Sequence, residues 1–260
     1  MGVLNVTPDS FSDGGAYFDT ASAIAAGLEM AEAGAALVDV GGETTRPHAS
    51  PTPPDEERRR ILPVIRALAS QGVAVSVDTR HAATMAAALD AGASVVNDVS
   101  ALAHDPDAAR VVARAGCPVV LMHMRGTPAT MHEHAQYADV ALEVTQELAA
   151  RIAAAEAAGI ARAAIAIDPG IGFAKMTEHN LALLRHLPLL LNLGCPLLVG
   201  VSRKRFIGVL AGARLPSGRL PGSLAAALHA AEHGATMLRV HDVAETIQAL
   251  RIWRGLHGLS

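Results

Sequence analysis

Short apolar, β-branched runs recur along the chain, with alanine-rich segments of helical character between them. GVLNV, AALVDVGG, VAVSVDT, ASVVNDVS, PVVLMHM, AAIAIDPG, PLLVGVSRK and TMLRVHD make eight such runs. Between them come ASAIAAGLEMAEAG, DEERRRILPVIRALASQG, AATMAAALDAG, DPDAARVVARAG, DVALEVTQELAARIAAAEAAG, NLALLRHLPLLLNLG, LAAALHAAEHG and AETIQALRIWRGLHG. Most of these end in glycine, the residue favoured just past a helix C-terminus. Near-continuous apolar strands suit a parallel sheet buried on both faces. Eight βα units in 260 residues predict an α/β fold, a TIM (β/α)8 barrel, as one domain over 1–260. An open doubly wound sheet is the alternative. The count of strands and the lack of a G-x-G-x-x-G turn after the first one favour the barrel. RPHASPTPPDEE reads as a loop between the second strand and its helix.

Polar residues gather where each apolar run ends. In order they are Asn5, Asp39, Asp78, Asn97 with Asp98, His123, Asp168, then Ser202, Arg203 and Lys204, and finally Arg239 with His241. One polar exit has a plain structural cause, since an Asp there can cap the next helix. Eight in register predict an active site on the C-terminal face of the barrel. Asp39 lies within its run and reads equally as a structural barrel residue. Arg203 reads equally as a surface or interface group.

Composition narrows the class. The charged fraction is 18% and the hydrophobic fraction 51%, which is globular rather than disordered. A net charge of −4 offers no broad attraction for nucleic acid, so any anion site must be local. Cys117 and Cys195 sit in apolar runs, as expected for buried thiols in a reducing cytoplasm rather than a disulfide. PLLLNLGCPLLVGV is interrupted by Asn192, Gly194 and Pro196 and is too short to span a membrane. The first residues show no charged region or cleavage site, so no signal peptide is expected.

The exit residues fall into two chemical sets. Asp78, Asn97 and Asp168 are acceptor-rich, and a flat heterocycle with amino and ring N–H groups would satisfy them. A carboxylate takes two parallel N–H bonds from an amino-pyrimidinone edge much as it does from arginine. Arg46, Lys204, Arg239 and His241 form a basic set suited to phosphate oxygens, and a metal held by an oxygen such as that of Asn5 would assist. The pair of sets points to a heterocycle carrying a phosphate or diphosphate. His123, His132 and His134 in MHMRGTPATMHEH lack the helical spacing of a zinc site. DPGIGFAK is a poor P-loop match because Lys175 is not followed by Ser or Thr, and its glycines read as turn residues.

NVTPDSFSDGG, DVGGETTRP, VSVDT, VVNDV, DPGIGFAK, VGVSRK and RVHDV occur in this order, and together they closely resemble dihydropteroate synthase. The resemblance runs from Asn5 to about Val243, and it too implies a TIM barrel. It implies condensation of (7,8-dihydropterin-6-yl)methyl diphosphate with p-aminobenzoate to give 7,8-dihydropteroate and diphosphate, with Mg2+, in a cytoplasmic homodimeric sulfonamide target. Carried over by position, Asn5 matches the magnesium ligand and a diphosphate contact, and Thr45 and Arg46 match further diphosphate contacts. Asp78, Asn97, Met122, Asp168, Gly200 and Lys204 match the pterin pocket. Arg239 and His241 match a diphosphate clamp. Phe11, Thr45, Pro47, Phe173, Ser202 and Lys204 match the p-aminobenzoate side. Asp78, Asp168, Lys204 and Arg239 are the implied catalytic set. NVTPDSFSDGG then reads as a substrate loop in which Phe11 covers the acceptor.

The sequence departs from the family pattern in places. Ala174 stands where DPGIGFGK has glycine, and Thr44 where serine is usual. The chain also starts close to NVTPDSF, whereas family members commonly carry an extra N-terminal segment. Two rivals remain: a pterin-dependent methyltransferase barrel, which lacks the NVTPDSFSDGG loop and the SRK and RVHD residues, and a catalytically silent pterin-binding module, which keeps the pterin pocket but not the diphosphate ligands.

Overall fold

In the computed structural model, residues 1–7, 20–44 and 52–258 are described. All eight expected strands form: β1 (Gly2–Asn5), β2 (Val38–Gly41), β3 (Val75–Asp78), β4 (Val95–Asp98), β5 (Val119–Met122), β6 (Ile165–Asp168), β7 (Leu198–Val199) and β8 (Met237–Leu238). Strands β1 to β6 pair in chain order, all parallel, and β7 pairs with β8. Two single bridges, Ile167 to Leu197 and Gly2 to Val240, join the two arcs at both edges and close the barrel. The seams are hydrogen bonded through Ile167 N to Pro196 O at 2.9 Å and Val3 N to Val240 O at 2.9 Å.

The strand pattern explains why the sheet is buried on both faces. Val38, Val40, Val75, Val77, Val96, Val119, Leu121, Ile165 and Ile167 are all fully or almost fully buried. They alternate with the polar residues that fill the interior, as the two-residue period of a strand requires. Neighbouring strands set the interior in rows. Asn5, Gly41, Asp78 and Asn97 are successive partners across β1 to β4, and Met122 partners Asp168 across β5 and β6.

The helices follow the expected segments, α1 (Thr20–Glu32) through α2 (Pro54–Ser70), α3 (Ala82–Asp90), α4 (Ala108–Ala115) and α5 (Val140–Ala157). Asp139 caps α5 by accepting from Ala141 N at 3.0 Å and Leu142 N at 3.1 Å. Gly116 closes α4 at φ 64°, a left-handed conformation that costs a Cβ-bearing residue about 1–2 kcal/mol. NLALLRHLPLLLNLG departs from expectation by dividing into α6 (Thr177–Arg185) and α7 (Leu187–Leu191). Pro188 has no N–H to continue the first helix and its ring crowds the preceding turn. A second unexpected helix, α8 (Arg205–Ala211), follows β7, anchored by buried Phe206 and Ile207. Its seven residues are too few to show a helical period. The last two are α9 (Leu220–Glu232) and α10 (Val243–Leu256).

Candidate active site

The C-terminal strand ends meet at one mouth, and the interior below it is a hydrogen-bonded floor. Asp39 is fully buried as the second residue of β2, so it lies inside the barrel rather than at the strand exit. Its carboxylate accepts from the Ser76 hydroxyl, from Asn97 Nδ2 at 3.0 Å and from Arg239 Nε at 2.6 Å. Arg239 also donates through Nη2 to Asp78 Oδ2 at 2.7 Å. Its guanidinium therefore sits in the floor, bonded to two carboxylates. Burial works against its charge, but Asp39 and Asp78 outweigh burial, and its pKa moves upward. Burial pushes Asp78 up to about 7, with Arg239 pulling it back.

This floor fixes orientation. Because Nδ2 of Asn97 is committed to Asp39, its Oδ1 is left as the acceptor. Asp168 accepts from Gly170 N at 2.7 Å through Oδ1. Its Oδ2 lies 4.0 Å from the position a Cβ would take at Gly200, so the glycine leaves room beside that carboxylate. Burial raises the Asp168 pKa, and hydrogen bonding by Gly170 and the charges of Lys204 and Arg239 oppose it. Met122 closes the same level from β5 and is 4% exposed.

The acceptor side stands next to it. Lys204 Nζ lies 4.3 Å from the centroid of the Phe173 ring, a cation–π contact. Burial lowers the Lys204 pKa to about 8, with Asp168 holding it up. A Cβ at Gly172 would approach Lys204 Cδ to 3.1 Å, so the DPGIGFAK turn wraps the lysine stem. Ser202 is buried, and its Oγ accepts from His241 N at 3.2 Å and lies 3.0 Å from His241 Nδ1. Burial, then the charges of Arg239, Arg203 and Lys204, lower the His241 pKa to about 4. With no anion beside it, His241 is therefore a weaker base than an ordinary imidazole. Arg203, left open as a surface or interface group, pairs with Asp242. Asn5 is half-buried at the end of β1. Phe11, Thr45, Arg46 and Pro47 lie outside the described residues.

Sequence reasoning missed a second charged group under the DPGIGFAK turn. His123 is 4% exposed and both ring nitrogens are engaged, Nε2 with Glu147 at 2.9 Å and Nδ1 with Lys175 Nζ at 2.9 Å. Arg125 donates to Glu147 and, at 2.8 Å, to Glu143. Burial and the Lys175 charge push His123 down to about 3. Lys175 belongs to the DPGIGFAK motif, but its partnership with His123, 52 residues away, and through it with Glu147 leaves no local signal in the sequence.

Comparison with known proteins gives one consistent answer. The family model described as pterin binding enzyme matches residues 1–241. The dihydropteroate synthase of Mycobacterium leprae is 50% identical over 258 residues, covering 97% of this chain and 91% of that protein. Two solved structures of the Xanthomonas albilineans dihydropteroate synthase cover 100% of this chain and 93% of theirs. The one with 4-aminobenzoic acid is 50% identical with a TM-score of 0.94. The one with 7,8-dihydropteroate is 49% identical with a TM-score of 0.91.

Proposed function

The chain belongs to the dihydropteroate synthase family of pterin-binding enzymes, and from that premise we propose the reaction its barrel mouth performs. It is a transferase that joins (7,8-dihydropterin-6-yl)methyl diphosphate to p-aminobenzoate, giving 7,8-dihydropteroate and diphosphate, in a single domain. The observation that carries this reading is the convergence of Asn97 and Asp168 as acceptors beside Lys204 and Phe173, over a floor held by Arg239.

The residues divide the work. Asp168 and Asn97 Oδ1 take the N–H edge of the pterin, with Met122 and Gly200 as walls. The bond between the methylene carbon and the diphosphate oxygen breaks with its electron pair leaving on diphosphate. Asp78 and Asp168 stabilise the positive charge left on the dihydropterin. The lone pair of the aminobenzoate nitrogen then attacks the methylene carbon, and the amine releases a proton. Lys204, Phe173 and Ser202 hold the acceptor, joined by Phe11, Thr45 and Pro47. Thr45, Arg46 and His241 contact the diphosphate, whose negative charge would raise the His241 pKa above its ligand-free value. Arg239 contributes its charge from the floor, because Asp39 and Asp78 already hold Nε and Nη2.

Mg2+ would be held by the amide oxygen of half-buried Asn5, with waters and substrate phosphate oxygens as its other ligands, as is characteristic of this ion. When bound, it neutralises charge on the leaving group. No helix among the described residues is long and apolar enough to cross a membrane. We read the protein as cytoplasmic. A homodimer would cover exposed apolar side chains such as Val209 and Leu210 on α8 and Ile252 and Leu256 on α10.

The test is diphosphate release by the purified protein with both substrates and Mg2+. Release that requires p-aminobenzoate, with 7,8-dihydropteroate as co-product, is expected. Pterin binding without turnover would make the protein a silent binding module, and methyl transfer from methyl-tetrahydrofolate would move it to the rival barrel.

A further inference from the structure

Lys175 is 7% exposed, yet among the described residues its amino group bonds to no carboxylate. It is bonded to His123 Nδ1 at 2.9 Å, Gly170 O at 3.1 Å and Phe173 O at 3.0 Å. With Glu147 as a carboxylate, the His123 contact places the ring proton on Nε2, so Nδ1 accepts and Lys175 donates. The lysine thereby gathers three neutral acceptors, two of them main-chain carbonyls from opposite ends of one turn. That turn is pressed against the exit of β5, since a Cβ at Gly170 would lie 2.0 Å from His123 O. Its outer limb is tied by Asn180, which accepts from Gly172 N at 2.7 Å and donates to Met176 O at 2.8 Å. The crest carries Phe173, whose ring meets Lys204. On its far side the lysine is braced through His123 and Glu147 to Arg125.

We propose that Lys175 is a positioning residue for the acceptor substrate: by drawing the carbonyls of Gly170 and Phe173 onto one buried donor, it fixes where the Phe173 ring stands beside Lys204. This rests on the functional reading above, in which that ring borders p-aminobenzoate. Asp168 depends on the lysine less, because its main chain is fixed by a strand bond from His123 N at 2.8 Å. Losing Lys175 therefore harms the acceptor side more than the pterin side. A buried carbonyl left without its donor moves toward water or another donor, and the turn moves with it.

The test is steady-state kinetics with both substrates for wild type, Lys175→Met, Phe173→Ala and the double variant. Lys175→Met should raise the KM for p-aminobenzoate about tenfold, the size expected for one lost buried donor. The KM for the dihydropterin diphosphate should change by less than about threefold. On the Phe173→Ala background the same substitution should add almost nothing, because its effect runs through that ring. A KM for p-aminobenzoate that Lys175→Met leaves unchanged overturns the proposal, and so does an equal multiplicative rise in both backgrounds. If the methionine variant does not fold, Lys175→Gln, which keeps one amide donor, is read by the same two KM values, with a selective rise for the acceptor expected and none overturning the proposal. Wild-type protein that makes no product overturns the functional reading and this inference with it.

Discussion

Two buried cations, Arg239 in the floor and Lys175 under the β6 turn, behave oppositely. Burial opposes the charge of both. Arg239 is in direct contact with Asp39 and Asp78, and its pKa rises. Among the described residues Lys175 meets only carbonyls and an imidazole, with Asp168 and Glu147 acting from farther away and Lys204 and Arg125 opposing them, and its pKa falls to about 7. Contact with carboxylates outweighs burial for Arg239, whereas burial prevails for Lys175, which lacks such a contact among the described residues. The floor is an ion-paired unit, while the flank is a scaffold of donors and acceptors whose charge is incidental.

The comparison breaks most directly at Arg239. Arg239→Ala leaves Asp39 buried with its charged partner gone, and a loss of about 3–5 kcal/mol in urea unfolding is expected. Lys175→Met strands neutral groups only and should cost about 1–3 kcal/mol at neutral pH. A larger loss for Lys175→Met would invert the contrast.

It sharpens with pH. The Lys175 pKa is about 7 in the folded protein against an ordinary 10.5, so the unfolded chain binds the extra proton between those values. Stability of the wild type relative to Lys175→Met is therefore greatest in alkali and falls as the pH drops from about 10.5 to about 7, by up to about 1.4 kcal/mol per pH unit. Urea midpoints for both proteins at about pH 7.5, 8.5 and 9.5 read that slope. A flat difference would mean that Lys175 keeps its charge as Arg239 does.

The smallest effect concerns strain, which the flank carries beside its lysine. Ala174 is 1% exposed at φ 48°, where the family pattern has glycine. Ala174→Gly relieves about 1–2 kcal/mol of left-handed strain but loses a buried methyl and adds unfolded-state freedom, each worth about 0.5–1 kcal/mol. The terms nearly cancel, so a change within about 1 kcal/mol of zero in thermal unfolding is expected. A clear loss would show that methyl packing outweighs the strain.

Sequence patterns revealed the strands because parallel strands buried on both faces leave runs of Val, Ile and Leu that little else produces. They revealed Asp78, Asn97, Asp168 and Lys204 because each interrupts such a run at its end. They did not reveal what Asp39 and Arg239 do for each other, since 200 residues separate the partners and only barrel closure brings them together. The role of Lys175 was illegible for a related reason, since its motif names the lysine but β5 and α5 supply the His123 and Glu147 beside it. Helix α8 was missed because it is short and its apolar residues are adjacent rather than periodic.

The barrel closes at two seams, and they divide the chemistry by origin. The six-strand arc brings Asp39, Asp78, Asn97 and Asp168, whereas Lys204, Arg239 and His241 arrive only with β7 and β8. A nascent chain that has laid down only the first arc holds Asp39 and Asp78 without the arginine that bridges them. The last quarter of the translated message supplies the answering cations, so the final strands act as a clasp whose fastening and whose catalytic competence are the same event.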